Sequence, residues 1–239
     1  MNSKQTLMRA TAHVCGGHMT YAFSQGEQLR FGSQDGPDLG KLYKKVLRNG
    51  KEMGGACAAV SANWVAFHAT QGSGHAFTKN RSLWDYLFNN GGLNLGAAVN
   101  IVIEHHLSSG DQITHFDSFL KKFNVIRRGE YTSPGTNREA SGTFSGQQVG
   151  VGIGRSIISR GEGYRLISLR SSKGGGGHMV AAWVAEDVMF MDPNFGEFWF
   201  ENRQKFMNWF PRFWTASGYN YNKVIARSYA TGVNTKKVA

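Results

Sequence analysis

The segment Ala56-Cys57-Ala58-Ala59-Val60-Ser61-Ala62-Asn63-Trp64-Val65-Ala66-Phe67-His68 constrains this chain more than any other. Built as a helix, it carries small and apolar side chains around nearly its whole circumference, whereas a surface helix shows one apolar stripe. The segment therefore predicts a helix buried at the centre of a domain, with the other elements wrapped around it. Gly54-Gly55 precede it, and Cys57 lies in its first turn. A thiol there meets the positive end of the helix dipole and unpaired backbone N–H groups, which favour thiolate. The same N–H groups can hold an oxyanion during acyl transfer, and the glycines let a substrate backbone come close. For Cys57 taken alone, a small buried core cysteine is the competing reading.

The flanking sequence supplies the wrapping. His13-Val14-Cys15 and His18-Met19-Thr20-Tyr21 flank Gly16-Gly17 and read as a hairpin within residues 1–35, an amino-terminal hairpin/strand extension. Pro37-Asp38 opens a helix with Leu39, Leu42, Tyr43, Val46 and Leu47 on one face, and Gly50 ends it. Further helices are expected at about Ser82 to Asn89, Leu93 to Leu107 and Asp111 to Phe123, and Arg127 to Gly146 reads as a polar surface excursion. The second half changes character. Tyr164–Leu169, His178–Val184, Val188–Met191 and Glu197–Phe200 are short strand-like runs, followed by a helix over Arg203–Thr215 and a last strand, Lys223–Tyr229. Helices first and an antiparallel sheet second make an α+β domain over 36–230, with 231–239 a loose basic tail.

Composition narrows the classes such a domain can belong to. With 41% hydrophobic and 18% charged residues in a chain of 239, it is neither a disordered tail nor a membrane protein. Its longest apolar runs, such as Met179 to Ala185, are too short to span a bilayer. Two cysteines, Cys15 and Cys57, cannot make a disulfide scaffold, so a reducing working compartment is expected. Met1 to Ala12 lacks the apolar stretch of a signal peptide, which implies delivery by a leaderless or specialised route, or as part of a larger protein. The net charge is +11, and Arg203, Lys205, Arg212, Lys223, Arg227, Lys236 and Lys237 face no acid between Asn202 and the end. Such an excess attracts acidic proteins, nucleic acid or anionic lipid at long range.

Two further residues complete a candidate constellation. Gly174-Gly175-Gly176-Gly177 precede His178, and four glycines in a row imply a need for room or backbone access. Asp192 follows 14 residues after His178. Antiparallel strands turning near Glu186-Asp187 bring these two side by side, so the carboxylate can accept the imidazole N–H and leave the other nitrogen facing Cys57.

Gly55-Ala56-Cys57-Ala58-Ala59-Val60-Ser61-Ala62-Asn63-Trp64-Val65, then Gly177-His178, then Asp192-Pro193-Asn194-Phe195-Gly196-Glu197-Phe198 resemble the three motifs of the YopT/AvrPphB-type effector cysteine proteases. The spacings of 121 residues from Cys57 to His178 and 14 from His178 to Asp192 are similar too. The resemblance covers about Met53 to Tyr229 and implies a papain-like fold, a bacterial virulence role and a Cys57–His178–Asp192 triad. One departure stands out. Papain-like enzymes place a Gln or Asn five or six residues before the cysteine as an oxyanion donor, where this chain has Glu52 and Lys51; Asn49 is the nearest amide. The second oxyanion donor is thus unassigned. A member of the family that recognises a polybasic tail is a poor guide to the substrate of a chain carrying +11.

Other signals are weaker. Cys15-Gly16-Gly17-His18 has no third group, and Glu104-His105-His106 with His115 lacks a metal-ligand spacing, so no metal and no cofactor are expected. Gly150-Val151-Gly152-Ile153-Gly154 imitates a phosphate loop without the unit that would follow it, and Trp209, Phe210, Phe213 and Trp214 read as core or interface. The leading reading is a thiol protease acting as a bacterial effector or toxin on a protein of a target cell. An acidic or nucleic-acid-associated substrate and an acidic cognate inhibitor would suit its charge. A transglutaminase or glutamine deamidase using the same triad and thioester is the alternative, and a basic nucleic-acid-binding module stays open as a reading of another class.

Overall fold

The computed structural model describes residues 1–29, 55–71, 75–76, 78–79, 81–89, 91–108, 111–132, 146–159, 161–170, 177–221 and 223–232. The helix expected after Pro37, positions 49, 51 and 52, Gly174 to Gly176 and the tail beyond 232 lie outside the described residues. The elements run α1 (Ser3–Val14), β1 (Gly17–Tyr21), α2 (Gln25–Gln28), α3 (Cys57–Ala69), α4 (Leu83–Leu87), β2 (Phe88–Asn89), β3 (Gly92–Leu93), α5 (Leu95–Leu107) and α6 (Gln112–Lys121). They continue β4 (Val125–Thr132), α7 (Gly146–Ile158), β5 (Gly163–Arg170), β6 (His178–Val184), β7 (Val188–Asp192), β8 (Gly196–Phe200), α8 (Arg203–Ser217) and β9 (Lys223–Thr231).

Helix α3 is the centre, as its apolar circumference requires: every residue from Ala58 to Phe67 is buried. Its polar side chains are satisfied inside. Ser61 Oγ donates to the Met179 carbonyl at 3.0 Å, Asn63 Nδ2 to the Ala59 carbonyl at 2.9 Å, and Trp64 Nε1 to Glu197 Oε2 at 2.6 Å. The helix lies against a seven-stranded sheet in the order β1-β8-β7-β6-β5-β9-β4, in which every neighbouring pair is antiparallel. Helices α3 to α6 build the core on one face, and α1, α7 and α8 build that on the other. Along β6, Met179 and Ala181 enter the first core while Val180, Ala182 and Val184 enter the second. A strand buried on both faces reads as a continuous apolar run, which is why this one was legible. The result is an α+β arrangement of a central helix packed on an antiparallel sheet.

Two expectations are corrected. The amino-terminal hairpin is instead helix, turn and strand: Asn2 and Gln5 form a capping box for α1, whose Met8 and Ala12 are buried in the second core. Gly16, at φ +76°, ends that helix, and Gly17 lets β1 pair closely with β8, where a Cβ would lie 2.3 Å from the Phe200 ring. The excursion expected from Arg127 begins as strand, since β4 pairs with β9 from Val125 to Thr132; its polar side chains suit an edge strand, and 133–145 lie outside the described residues. The glycines at 150, 152 and 154 sit in helix α7, not in a phosphate loop. Tertiary packing overrides their poor helix propensity here: a Cβ on Gly150 would lie 2.9 Å from Pro211 Cα and Trp214 Cβ, so the missing side chain lets α7 and α8 approach. Smaller shifts are the shortening of the Ser82 helix to α4, capped by Ser82, and the extension of β9 to Thr231.

The two helical glycines give opposite expectations. Gly150→Leu drives a side chain into the α8 backbone and should cost about 1–3 kcal/mol. Gly152 has open space around its Cβ position, so Gly152→Ala should stabilise by about 0.5–1 kcal/mol through reduced backbone entropy. Urea unfolding of both variants measures this; a Gly150→Leu protein as stable as its parent would contradict the α7–α8 packing.

Candidate active site

Cys57 opens α3, and its half-buried side chain lines a cleft of about 730 Å³. The residue before it, Ala56, has no side chain with which to cap the helix. Its backbone N–H donates instead to Gln25 Oε1 at 2.8 Å, so the amino-terminal segment holds the start of this helix.

His178 opens β6 and Asp192 closes β7. The register Ala181↔Met191, continued outward, sets Asp192 opposite Val180 and His178 diagonal to it on the same face. The His178 Nε2 to Asp192 Oδ1 distance is 2.9 Å, with both side chains buried. The other side of the imidazole is left for Cys57, and the thiol and His178 are hydrogen-bonded. All three residues singled out in the sequence therefore meet, and they do so at the wall of the cleft.

Residues that the sequence did not single out hold this group. Tyr219 Oη donates to Asp192, at 2.9 Å from Oδ2 and 3.1 Å from Oδ1, and the Asn194 backbone N–H donates to Oδ1 at 2.8 Å. Asn194 Nδ2 donates to Tyr219 Oη at 3.0 Å, and Gln25 Nε2 donates to Asn194 Oδ1 at 2.8 Å. A backbone N–H can only donate, so the Gln25 atom facing Ala56 must be the oxygen, and that choice orients the whole chain of bonds. A directional relay thus links the start of α3 to the carboxylate: Ala56, Gln25, Asn194, Tyr219, Asp192. Asn194 stood within a recognisable motif, whereas nothing in local sequence points to Gln25 or Tyr219.

Electrostatics favour an ion pair. Burial alone pushes the Cys57 thiol up, but the hydrogen bond and charge of His178, with a hydrogen bond from the Met179 backbone, bring it below its ordinary value. Burial likewise opposes a charged His178, yet the charge and hydrogen bond of Asp192, followed by Cys57, raise it to about 10. Burial and the nearby Asp192 charge push Tyr219 well above its ordinary value, so it stays a neutral donor. The arrangement therefore favours a thiolate beside an imidazolium, the pairing that suits attack on a carbonyl.

Gln25, His105, Arg170, Asn194 and Tyr221 line the same cleft. The remaining candidates are engaged elsewhere. His18 packs on Trp199 with ring centroids 5.1 Å apart, His115 pairs with Glu104 at 2.8 Å, and Trp209, Phe210, Phe213 and Trp214 are core. Among the described residues no three His, Cys, Asp or Glu side chains cluster as metal ligands, and no helix is long and apolar enough to cross a membrane.

Known proteins resemble the chain along nearly its whole length. The model of a peptidase family described as Yersinia/Haemophilus virulence surface antigen matches residues 9–231. The protein adenylyltransferase and cysteine protease IbpA of Histophilus somni is 27% identical over 253 aligned positions, which take in 99% of this chain but only 6% of that protein. The cysteine protease yopT1 of Yersinia enterocolitica is 25% identical, over 96% of this chain and 68% of the relative. Among solved structures, the Pseudomonas avirulence protein AvrPphB aligns at 20% identity with a TM-score of 0.47, over 73% of this chain and 91% of its own.

The ion pair predicts a pH profile. Iodoacetamide should label Cys57 ahead of Cys15, at a rate that rises through the lowered thiol pKa, while the imidazolium partner is lost as pH climbs past about 10. His178→Ala leaves burial as the dominant influence, so the thiol pKa rises and alkylation near pH 6.5 should fall by about tenfold or more. Labelling of Cys15 first, or a profile unchanged in His178→Ala, would place the reactive thiol elsewhere.

Proposed function

The chain belongs to the Yersinia/Haemophilus virulence surface antigen family of peptidases, and on that premise we propose that it is a cysteine endopeptidase working through Cys57, His178 and Asp192. One observation carries the assignment: a buried His178–Asp192 pair hydrogen-bonded to a thiol at a helix amino terminus, in an open cleft. The Cys57 thiolate adds to the scissile carbonyl carbon, and the π pair moves onto oxygen. Collapse expels the amine, which takes the proton from His178, leaving a thioester on Cys57. Neutral His178 then takes a proton from water, whose oxygen adds to the thioester carbonyl; collapse releases the acid and restores thiolate and imidazolium. Asp192 orients the ring and stabilises its charged form.

The +11 charge favours a target-cell protein with acidic or phosphate-rich surroundings at the cleavage site, and Arg170 brings that charge to the rim of the cleft. The same field suits an acidic inhibitor protein that protects the producing cell by covering the entrance between Cys57 and His178.

Labelling of new amino termini in cells exposed to the active protein and to Cys57→Ala should reveal sites cut only by the active form, with acidic flanks. With such a substrate, Asp192→Asn should lower turnover by about two to four orders of magnitude. Raising salt from about 50 to 500 mM should slow both cleavage and inhibitor association as screening shortens. Cleavage that persists in Cys57→Ala would overturn the mechanism, and strongly basic cleavage sites would overturn the charge argument.

A further inference from the structure

We propose that Gln25 supplies the side-chain donor of an oxyanion pocket whose other donor is the backbone N–H of Cys57, an assignment that rests on the thiol mechanism above. A glutamine amide offers one oxygen and two N–H groups. The oxygen accepts from the Ala56 N–H, and one N–H is used by Asn194 Oδ1. The second N–H has no acceptor among the described residues, although Gln25 is only 7% exposed and lines the cleft together with Cys57 and Ala58. Buried donors are rarely left idle; one that borders a reaction cleft is available to substrate. The amide also lies in the right place. A Cβ built on Gly55 would sit 3.0 Å from Gln25 Oε1 and 3.3 Å from Nε2, so the group rests on the backbone two residues before the nucleophile.

Gln25 is rigidly held, as a preorganised donor should be. Its backbone N–H donates to the Pro193 carbonyl at 2.7 Å, and its side chain is fixed at both ends by Ala56 and Asn194. Cys57 contributes the first backbone N–H of α3, a position with no intrahelical acceptor. When Sγ bonds to the carbonyl carbon and the π pair moves to oxygen, these two N–H groups bind the oxyanion; when the pair returns, the bond to the leaving group breaks. Gln25 transfers no proton. The donor thus comes from the amino-terminal segment, beside a cysteine whose preceding residues offer Glu52 and Lys51 instead of the usual amide.

Two reactions of the same thiol separate this role from a structural one. Acylation by p-nitrophenyl acetate passes through an oxyanion, whereas alkylation by iodoacetamide is a direct displacement that forms none. Gln25→Met keeps the side-chain length without donors, and Gln25→Glu keeps the acceptor for Ala56 but loses both N–H groups. In each, the limiting acylation burst should fall by about 100- to 1,000-fold while the limiting alkylation rate at high pH stays within about twofold. Thermal unfolding identifies a variant that fails to fold, and Gln25→Glu then decides. Acylation within about fivefold of the parent, or alkylation falling in step with acylation, overturns the assignment. A burst that persists in Cys57→Ala would instead sink the underlying thiol mechanism; a Cys57-dependent burst unaffected in Gln25→Met would remove Gln25 alone.

Discussion

A helix with no polar face can lie in the interior only if its few polar groups and its unpaired amino-terminal N–H groups find partners there. In this protein those partners come from the β7–β8 corner and from the amino-terminal segment. Glu197 accepts the indole N–H groups of Trp64 on α3 and Trp84 on α4, at 2.6 and 3.0 Å, together with the Thr20 hydroxyl of β1. At the other end of the helix, Gln25 takes the Ala56 N–H. One carboxylate therefore gathers β1, β8 and α4 around α3, and one amide fixes where α3 begins. The placement of Cys57 follows from both.

The corner that carries Glu197 also carries Asp192, and the two carboxylates divide the work. Glu197 is satisfied wholly by uncharged donors and ties the scaffold together. Asp192 combines uncharged donors, Tyr219 and the Asn194 backbone, with one ionisable partner, His178. A fully buried carboxylate would be strongly disfavoured without such donors. The charge and hydrogen bond of Asp192 oppose the burial that disfavours an imidazolium at His178. Cys57 completes the row: the charge of Asp192 favours the imidazolium, and His178 in turn favours the thiolate.

The first 29 residues are part of this machinery. Strand β1 closes one edge of the main sheet by pairing with β8, directly beside the corner of the two carboxylates. The short helix α2 then brings Gln25 between the Pro193–Asn194 loop and the start of α3. Fold and site share this segment: the same amide that caps the nucleophile helix borders the cleft.

Much of this was legible in residue order. The apolar run from Ala56 to Phe67 can only be an interior helix, which places Cys57 at its amino terminus. The spacing of His178 and Asp192 about a turn at Glu186-Asp187 brings those two together through antiparallel register, a local rule with a period of two. The strands β5 to β8 showed themselves because burial on both faces makes them predominantly apolar runs. What stayed hidden depends on contacts between distant parts of the chain. Helix α7 is rich in glycine, and it packs on α8 where Gly150 fits against Pro211 and Trp214 and Gly154 against Met207 and Phe210; strand β4 looks like a polar loop because it lies at an edge. Helix α1 shows a capping box but drew attention to its glycines instead. Gln25 and Tyr219 lie far in sequence from the residues they serve, and no local pattern distinguishes an amide or phenol that will be buried from one left in water. Sequence alone determined the buried helix that Cys57 opens and the His178–Asp192 pair, since periodicity and register are short-range. Only tertiary packing decided which polar side chains would hold them, because a buried hydrogen bond is a property of where two segments meet.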